Sequence, residues 1–155
     1  HKKAKLLKHL QQSIWSISNV LKSTTVTLGL NELHIKTKCH FCSCLGTNDD
    51  LTFTFCQNGQ CCNTKSLNGI GANCSIIDNF YGFDKLGDCA NFEFNNESIT
   101  GNVTLSGNDG WRGEWIRLVI NGTIQKECSI LTYIDGNHPD YFSSTNFVCP
   151  GGMTI

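Results

Sequence analysis

Ten cysteines stand in a chain of 155 residues, and they constrain its fold more than any other feature. Cys39, Cys42 and Cys44 crowd around His40 in "KCHFCSC", Cys56 ends a strand-like run, and Cys61 and Cys62 are adjacent in "CQNGQCC". Cys74, Cys89, Cys128 and Cys149 are spread through the rest. Two chemistries use such a set. Thiolates with His40 would suit Zn²⁺, although the neighbouring side chains of Cys61 and Cys62 diverge. Disulfides would staple loops, each stabilising by about 2–4 kcal/mol. Four Asn-x-Ser/Thr triplets, at Asn73, Asn96, Asn102 and Asn121, accompany the cysteines. Acceptors for N-glycosylation in that number fit an exported chain, where thiols oxidise. The expectation is a secreted, N-glycosylated protein with a disulfide framework, up to five bridges, whose pairing the sequence leaves open. The chain opens on His1, and the expectation is a processed, mature product.

Charge is divided along the chain. Residues 1–31 carry Lys2, Lys3, Lys5, Lys8 and Lys22 and no acid, whereas all 13 Asp and Glu lie from Glu32 onward. An acidic body argues against nucleic acid as a ligand, because phosphates need a basic footprint. No apolar run reaches the length of a membrane-spanning helix.

Residues 1–22 form the first expected unit, an amphipathic helix over residues 3–22. Leu7, Leu10, Ile14, Ile17 and Leu21 recur at alternating spacings of three and four, the seam of a coiled coil, with Leu6 and Trp15 widening it. An isolated helix that short is marginal in water, so it must pack on something. The strict spacing points to self-association or to another chain; an anionic membrane surface and the chain's own acidic body are the alternatives. Residues 23–31 read as a linker or first strand.

Residues 32–150 have β texture, with 151–155 as a tail. Glu32–Lys38 alternates with Leu33 and Ile35 on one face. Leu51–Cys56 places Leu51, Phe53 and Phe55 on one face against Thr52 and Thr54. Asn91–Phe94 and Ile99–Ser106 follow as expected strands. Glu114–Ile120 aligns Ile116, Leu118 and Ile120, and Asn121-Gly122 marks a hairpin returning through Thr123–Ile130. Short strands with Gly and Asn turns predict an all-β, antiparallel β-sandwich or barrel.

"ELHIKTKCHFCSCLGTNDDLTFTFC" resembles the opening of a PLAT (lipoxygenase-homology, LH2) domain. There a first strand leads through an Ala-Gly-Thr-Asp type of loop into an alternating strand, as Leu45-Gly46-Thr47-Asn48-Asp49 leads into Leu51–Phe55. "DNFYGFDKLGDCANFEF", with Phe80, Leu86 and Gly87, is similar to the next segment of the family. "LSGNDGWRGEWIRLVING", with Asp109, Gly110 and Trp115, is similar to its Trp-led strand. The resemblance covers roughly residues 32–134, and the ten cysteines depart from the usual pattern. It implies a PLAT-like, eight-stranded antiparallel β-sandwich that docks on membrane or protein rather than catalysing, as a disulfide-rich extracellular variant. By that analogy Asn48, Asp49 and Asp50 are the candidate Ca²⁺ ligands; an ordinary turn, whose Asn and Asp satisfy their own backbone, is the competing reading.

Trp111 and Arg112 form a candidate lipid contact, a wedge with a headgroup-binding cation. In the opposing reading Trp115 is core and Trp111 caps a turn. Enzyme signatures are missing: there is no Gly-x-Ser-x-Gly and no His-Glu-x-x-His. Asp135, His138 and Asp140 in "DGNHPDY" read as a polar loop rather than an acid/base site. The expected function is a non-catalytic binding or structural module that assembles into or docks on an extracellular glycoprotein complex, through itself or another protein chain. The runner-up is a membrane-active secreted toxin or defence protein binding lipid through the basic helix and sandwich loops. The third is an accessory module of a lipid enzyme. No cofactor other than Ca²⁺ is expected.

Overall fold

The computed structural model describes residues 31–40, 43–72, 77–130 and 132–152, together with Gln11. The expected helix, with Leu7, Leu10, Ile14, Ile17 and Leu21, lies outside the described residues, as do the 23–30 stretch, Cys42, Asn73 and Cys74.

The strands are β1 (Glu32–Thr37), β2 (Cys39–His40), β3 (Ser43–Cys44), β4 (Asp50–Gln57), β5 (Gln60–Asn63), β6 (Leu67–Asn68), β7 (Asp78–Tyr81), β8 (Ile99–Ser106), β9 (Gly113–Ile120), β10 (Ile124–Ser129) and β11 (Ser144–Cys149). A four-stranded sheet runs β10-β9-β1-β7. A five-stranded sheet runs β11-β8-β4-β5, with β6 also paired to β4. All pairings are antiparallel, and β2 and β3 form a small ribbon that sets Cys39 opposite Cys44.

Alternation in the sequence becomes alternation in burial. Leu33 and Ile35 of β1, Leu51, Phe53 and Phe55 of β4, Val103 and Leu105 of β8, and Ile116, Leu118 and Ile120 of β9 point inward and form one core between the sheets. That arrangement is a β-sandwich. Its centre is aromatic: Phe53 stacks on Phe55 at 6.2 Å, and Trp111 meets the edge of Phe53 at 6.3 Å. Asn121 and Gly122 both adopt positive φ, 49° and 67°, the type I′ geometry that the Asn-Gly pair promises.

One expected strand is absent. Residues 87–91 form a 3-10 helix, and Phe92 and Phe94 follow without ladder partners. The Asn31 side-chain amide donates to the carbonyls of Cys89 and Phe92, both at 2.9 Å, and so takes acceptors that a strand ladder would use. Phe94 is nonetheless core, edge-on to Phe55 at 6.2 Å.

Three disulfides are formed among the described residues: Cys56–Cys61, Cys62–Cys89 and Cys128–Cys149. Cys128–Cys149 ties edge strand β10 of one sheet to edge strand β11 of the other. Cys62–Cys89 ties β5 to the 3-10 helix across the buried edge of the core. Three bridges are consistent with an oxidising, extracellular setting.

On edge strand β10 Lys126 is fully buried. Its ammonium donates to the carbonyls of Asn96, at 2.5 Å, and Pro150, at 3.4 Å. Burial lowers its pKa, and the Glu97 carboxylate partly opposes that shift.

Candidate functional site

Strands β1, β8 and β10 end, and β4, β9 and β11 begin, at one end of the sandwich. Three loops meet there: residues 45–49, residues 107–112 and residues 132–143. Backbone bonds join them. Arg112 N–H donates to the Leu45 carbonyl at 3.0 Å, and Trp111 and Ile134 exchange bonds at 2.8 and 2.9 Å.

Two carboxylates lock the first two loops. Asp49 Oδ2 accepts the Asp109 N–H at 2.7 Å, and Asp109 Oδ2 accepts the Asn48 N–H at 2.7 Å. Thr47, fully buried, donates its hydroxyl to the Asp109 carbonyl at 2.9 Å and accepts the Asp49 N–H at 3.0 Å. Gly107, at φ 125°, leaves the space that the Asp49 carboxylate occupies; a Cβ there would overlap it. The Gly-Thr-Asn-Asp run is therefore a brace.

This geometry bears on the Ca²⁺ reading. Asp49 and Asp50 give their carboxylates to different partners. Asp50 directs its carboxylate to the Asn68 amide of β6 at 2.7 Å, while Asp49 faces Asp109. Six or more oxygens are needed for Ca²⁺. Among the described residues the one metal-sized gathering of His, Cys and acidic ligand atoms is Cys62, Asp88 and Cys89, and both of its sulfurs are spent in a disulfide. The printed bonds of Asp49 and Asp50 are those that the turn reading expects of them.

The third loop is aromatic. The Tyr133 hydroxyl donates to Asp135 Oδ2 at 3.2 Å, and Asp135 Oδ1 accepts the Asn137 N–H at 2.9 Å. Tyr133 meets Tyr141 edge-on at 4.9 Å, and His138 leans on Tyr141 at 5.0 Å. Burial raises the Tyr133 pKa, and the Asp135 and Asp109 carboxylates push it further the same way, so the phenol stays a donor. Beyond this scaffold Tyr141 is exposed and Phe142 is 82% exposed. His138 and Asp140 serve the loop's own backbone: the Asp140 N–H reaches His138 Nδ1 at 3.2 Å.

The tryptophans exchange the places expected of them. Trp111 is fully buried, so it is neither a membrane wedge nor a turn cap. Its indole N–H donates to the Thr37 hydroxyl at 3.2 Å, on the inward face of β1 that Thr37 shares with Leu33 and Ile35. Trp115 is half-buried on the outer face of the four-stranded sheet, with the Arg117 guanidinium 3.9 Å over its ring. Arg112, also half-buried, has no exposed indole beside it, and the Trp111–Arg112 lipid contact is withdrawn with that indole. Phe142 was missed in the sequence: nothing in "HPDYFSS" distinguishes a presented phenylalanine from a core one. Phe80 and Phe83, 67% and 59% exposed, were missed likewise. Phe80 sits on β7 against His34 at 4.5 Å.

The sequons separate into different settings. Asn121 occupies the hairpin tip, and Asn96 accepts the Gly152 N–H on Oδ1 at 3.1 Å. Asn102 lies mid-strand on β8.

No protein-family model matches the chain, and no curated protein does. Among solved structures, "Alpha Toxin from Clostridium Absonum" matches with a TM-score of 0.43 and 15% identity, over 83% of this chain and 31% of that one. The chain thus spans less than a third of that protein's length.

Proposed function

We propose that this chain is a secreted, non-catalytic binding module of PLAT-like type that docks on another extracellular chain through the loop end of its sandwich. The observation that carries this reading is Phe142, 82% exposed on a loop held by the Tyr133–Asp135 bond beside the Asp49–Asp109 brace. Aromatic residues presented on rigid supports are the usual anchors of protein interfaces. Asp135 and Asp140 share the anchor's loop, and Asp49 and Asp109 brace the two loops beside it, carboxylates that favour a basic partner. The basic segment of residues 1–31, from this chain or a second copy, has that character. Native particle mass tests the reading. The full chain is expected to assemble, and Phe142→Ser or a chain starting at Ser23 to lower the number of chains per particle; the same number for all three would end it.

Membrane activity is the second reading, favoured by the same exposed Phe142. The tip's carboxylates oppose contact with anionic lipid, so the basic segment would have to supply the attraction. Co-sedimentation with vesicles containing phosphatidylserine at physiological salt separates the two. Pelleting that requires residues 1–22 favours the membrane; no pelleting favours the protein partner. An accessory role beside a lipid enzyme would require a catalytic partner chain.

A further inference from the structure

A row of polar side chains crosses the outward face of the five-stranded sheet. Register aligns Asn63 of β5, Thr54 of β4, Asn102 of β8 and Asn146 of β11. The Thr54 hydroxyl donates to Asn63 Oδ1 at 2.6 Å, and Asn102 Nδ2 donates to Asn146 Oδ1 at 2.8 Å. Beside this row runs a shallow groove of about 420 Å³, walled by Thr54, Thr100, Asn102, Asn146 and Val148. No charged residue lines it, and Val148 is 55% exposed on it.

Asn102 is also the acceptor of the sequon Asn102-Val103-Thr104, and the Thr104 hydroxyl donates to Asn102 Oδ1 at 2.9 Å. Its amide nitrogen carries two hydrogens, and one is given to Asn146. The other is given to no partner among the described residues. We infer that Asn102 carries an N-linked glycan whose first sugar lies in this groove, over Val148 and along the Thr/Asn row. An N-acetylhexosamine is neutral, has an apolar ring face, and carries donors and acceptors at its rim. An uncharged groove with one exposed valine and a polar row matches that profile.

The donor is a lipid-linked oligosaccharide pyrophosphate met by the chain during export. A bond forms between Asn102 Nδ2 and the anomeric carbon. The bond from that carbon to the phosphate oxygen breaks, the lipid pyrophosphate leaves, and Nδ2 gives one proton to a base. With the sugar in place the outward face of β4, β8 and β11 is covered, and docking is confined to the loop end and the other sheet. Asn96 and Asn121 lack this setting: the Asn96 side chain accepts from Gly152, and Asn121 stands on a turn.

The inference rests on the proposed secretion. The full chain, exported from a glycosylating eukaryotic cell, is digested and its glycopeptides weighed, with thiols counted on the same sample. Occupied Asn102 is the expected result. Amidase cleavage of the bond between Asn102 and its first sugar is expected to be about tenfold slower from the native protein than from the reduced, denatured one, since the sugar's apolar face is buried. Val148→Lys, on the surface, should fold normally and restore fast release. An exported, fully oxidised protein with bare Asn102 overturns the inference alone, as does native release that Val148→Lys does not speed. A chain that stays reduced and unexported takes the secretion reading down with it.

Discussion

Asp49 and Asp109 lock two loops by exchange: Asp49 Oδ2 accepts the N–H of Asp109, and Asp109 Oδ2 accepts the N–H of Asn48, each at 2.7 Å. The two residues are sixty positions apart in the chain, yet each carboxylate satisfies backbone on the other's loop. Phe142 lies on the third loop, which is tied to the second through Trp111 and Ile134 and to itself through the Asp135 N–H and the Phe142 carbonyl.

Asp109→Ala is expected to lower unfolding free energy by about 1 kcal/mol, since it removes a charge-assisted acceptor from an exposed site. Urea unfolding measures it. Millimolar calcium should leave the wild-type melting temperature unchanged. A clear upward shift would mean that these carboxylates serve a cation rather than the backbone.

Trp111→Ala should cost about 3–5 kcal/mol, the range for deleting a large buried aromatic. Trp111→Phe should cost less but leave the Thr37 hydroxyl without its donor. In contrast, Trp115→Ala should cost no more than about 1 kcal/mol, because the ring is half-buried. Chemical denaturation of the three variants decides; a larger loss at Trp115 would contradict the burial pattern.

Removing Cys62–Cys89 as a paired Ala variant should destabilise by roughly 3–4 kcal/mol, and removing Cys56–Cys61 by about 2 kcal/mol, on loop-closure entropy. Their sequence separations are 27 and 5 residues. Melting temperatures of the two variants should rank in that order, and the reverse order would show that native packing outweighs the chain-entropy difference.

Above neutrality the buried Lys126 and the half-buried Tyr133 act with opposite signs. The lowered Lys126 pKa means the unfolded chain binds more protons between that pKa and 10.5, so its contribution to stability grows as pH rises through that window. The raised Tyr133 pKa means the folded chain holds its proton where the unfolded phenol, at 10.0, loses it, so stability falls as pH rises above 10.0. Tyr133→Phe should therefore flatten the loss of stability between about pH 9.5 and 11, read by rapid urea titration. An unchanged slope would show that the phenol does not contribute to it.

Most of the sandwich was legible in the residues. Leu51-Thr-Phe-Thr-Phe55 and Ile116, Leu118 and Ile120 bury the faces their alternation promises, because a strand's side chains alternate whatever lies across from them. Asn121-Gly122 forms its turn because positive φ is a local preference of those two residues. Phe92 and Phe94 misled as a strand because what decides their pairing is Asn31, about sixty residues away. Of the candidate site, Thr47, Asn48 and Asp49 were legible as a turn, but their partner Asp109 and the presented Phe142 were not.

By itself, then, the sequence determined the all-β architecture, the strand faces, the hairpin and the oxidising chemistry of the cysteines, since each follows from local periodicity or composition. Only the tertiary structure decided which sulfurs meet, which tryptophan is core, and which phenylalanine faces solvent. Those outcomes depend on contacts between segments far apart in the chain, and no short stretch of residues contains both sides of such a contact.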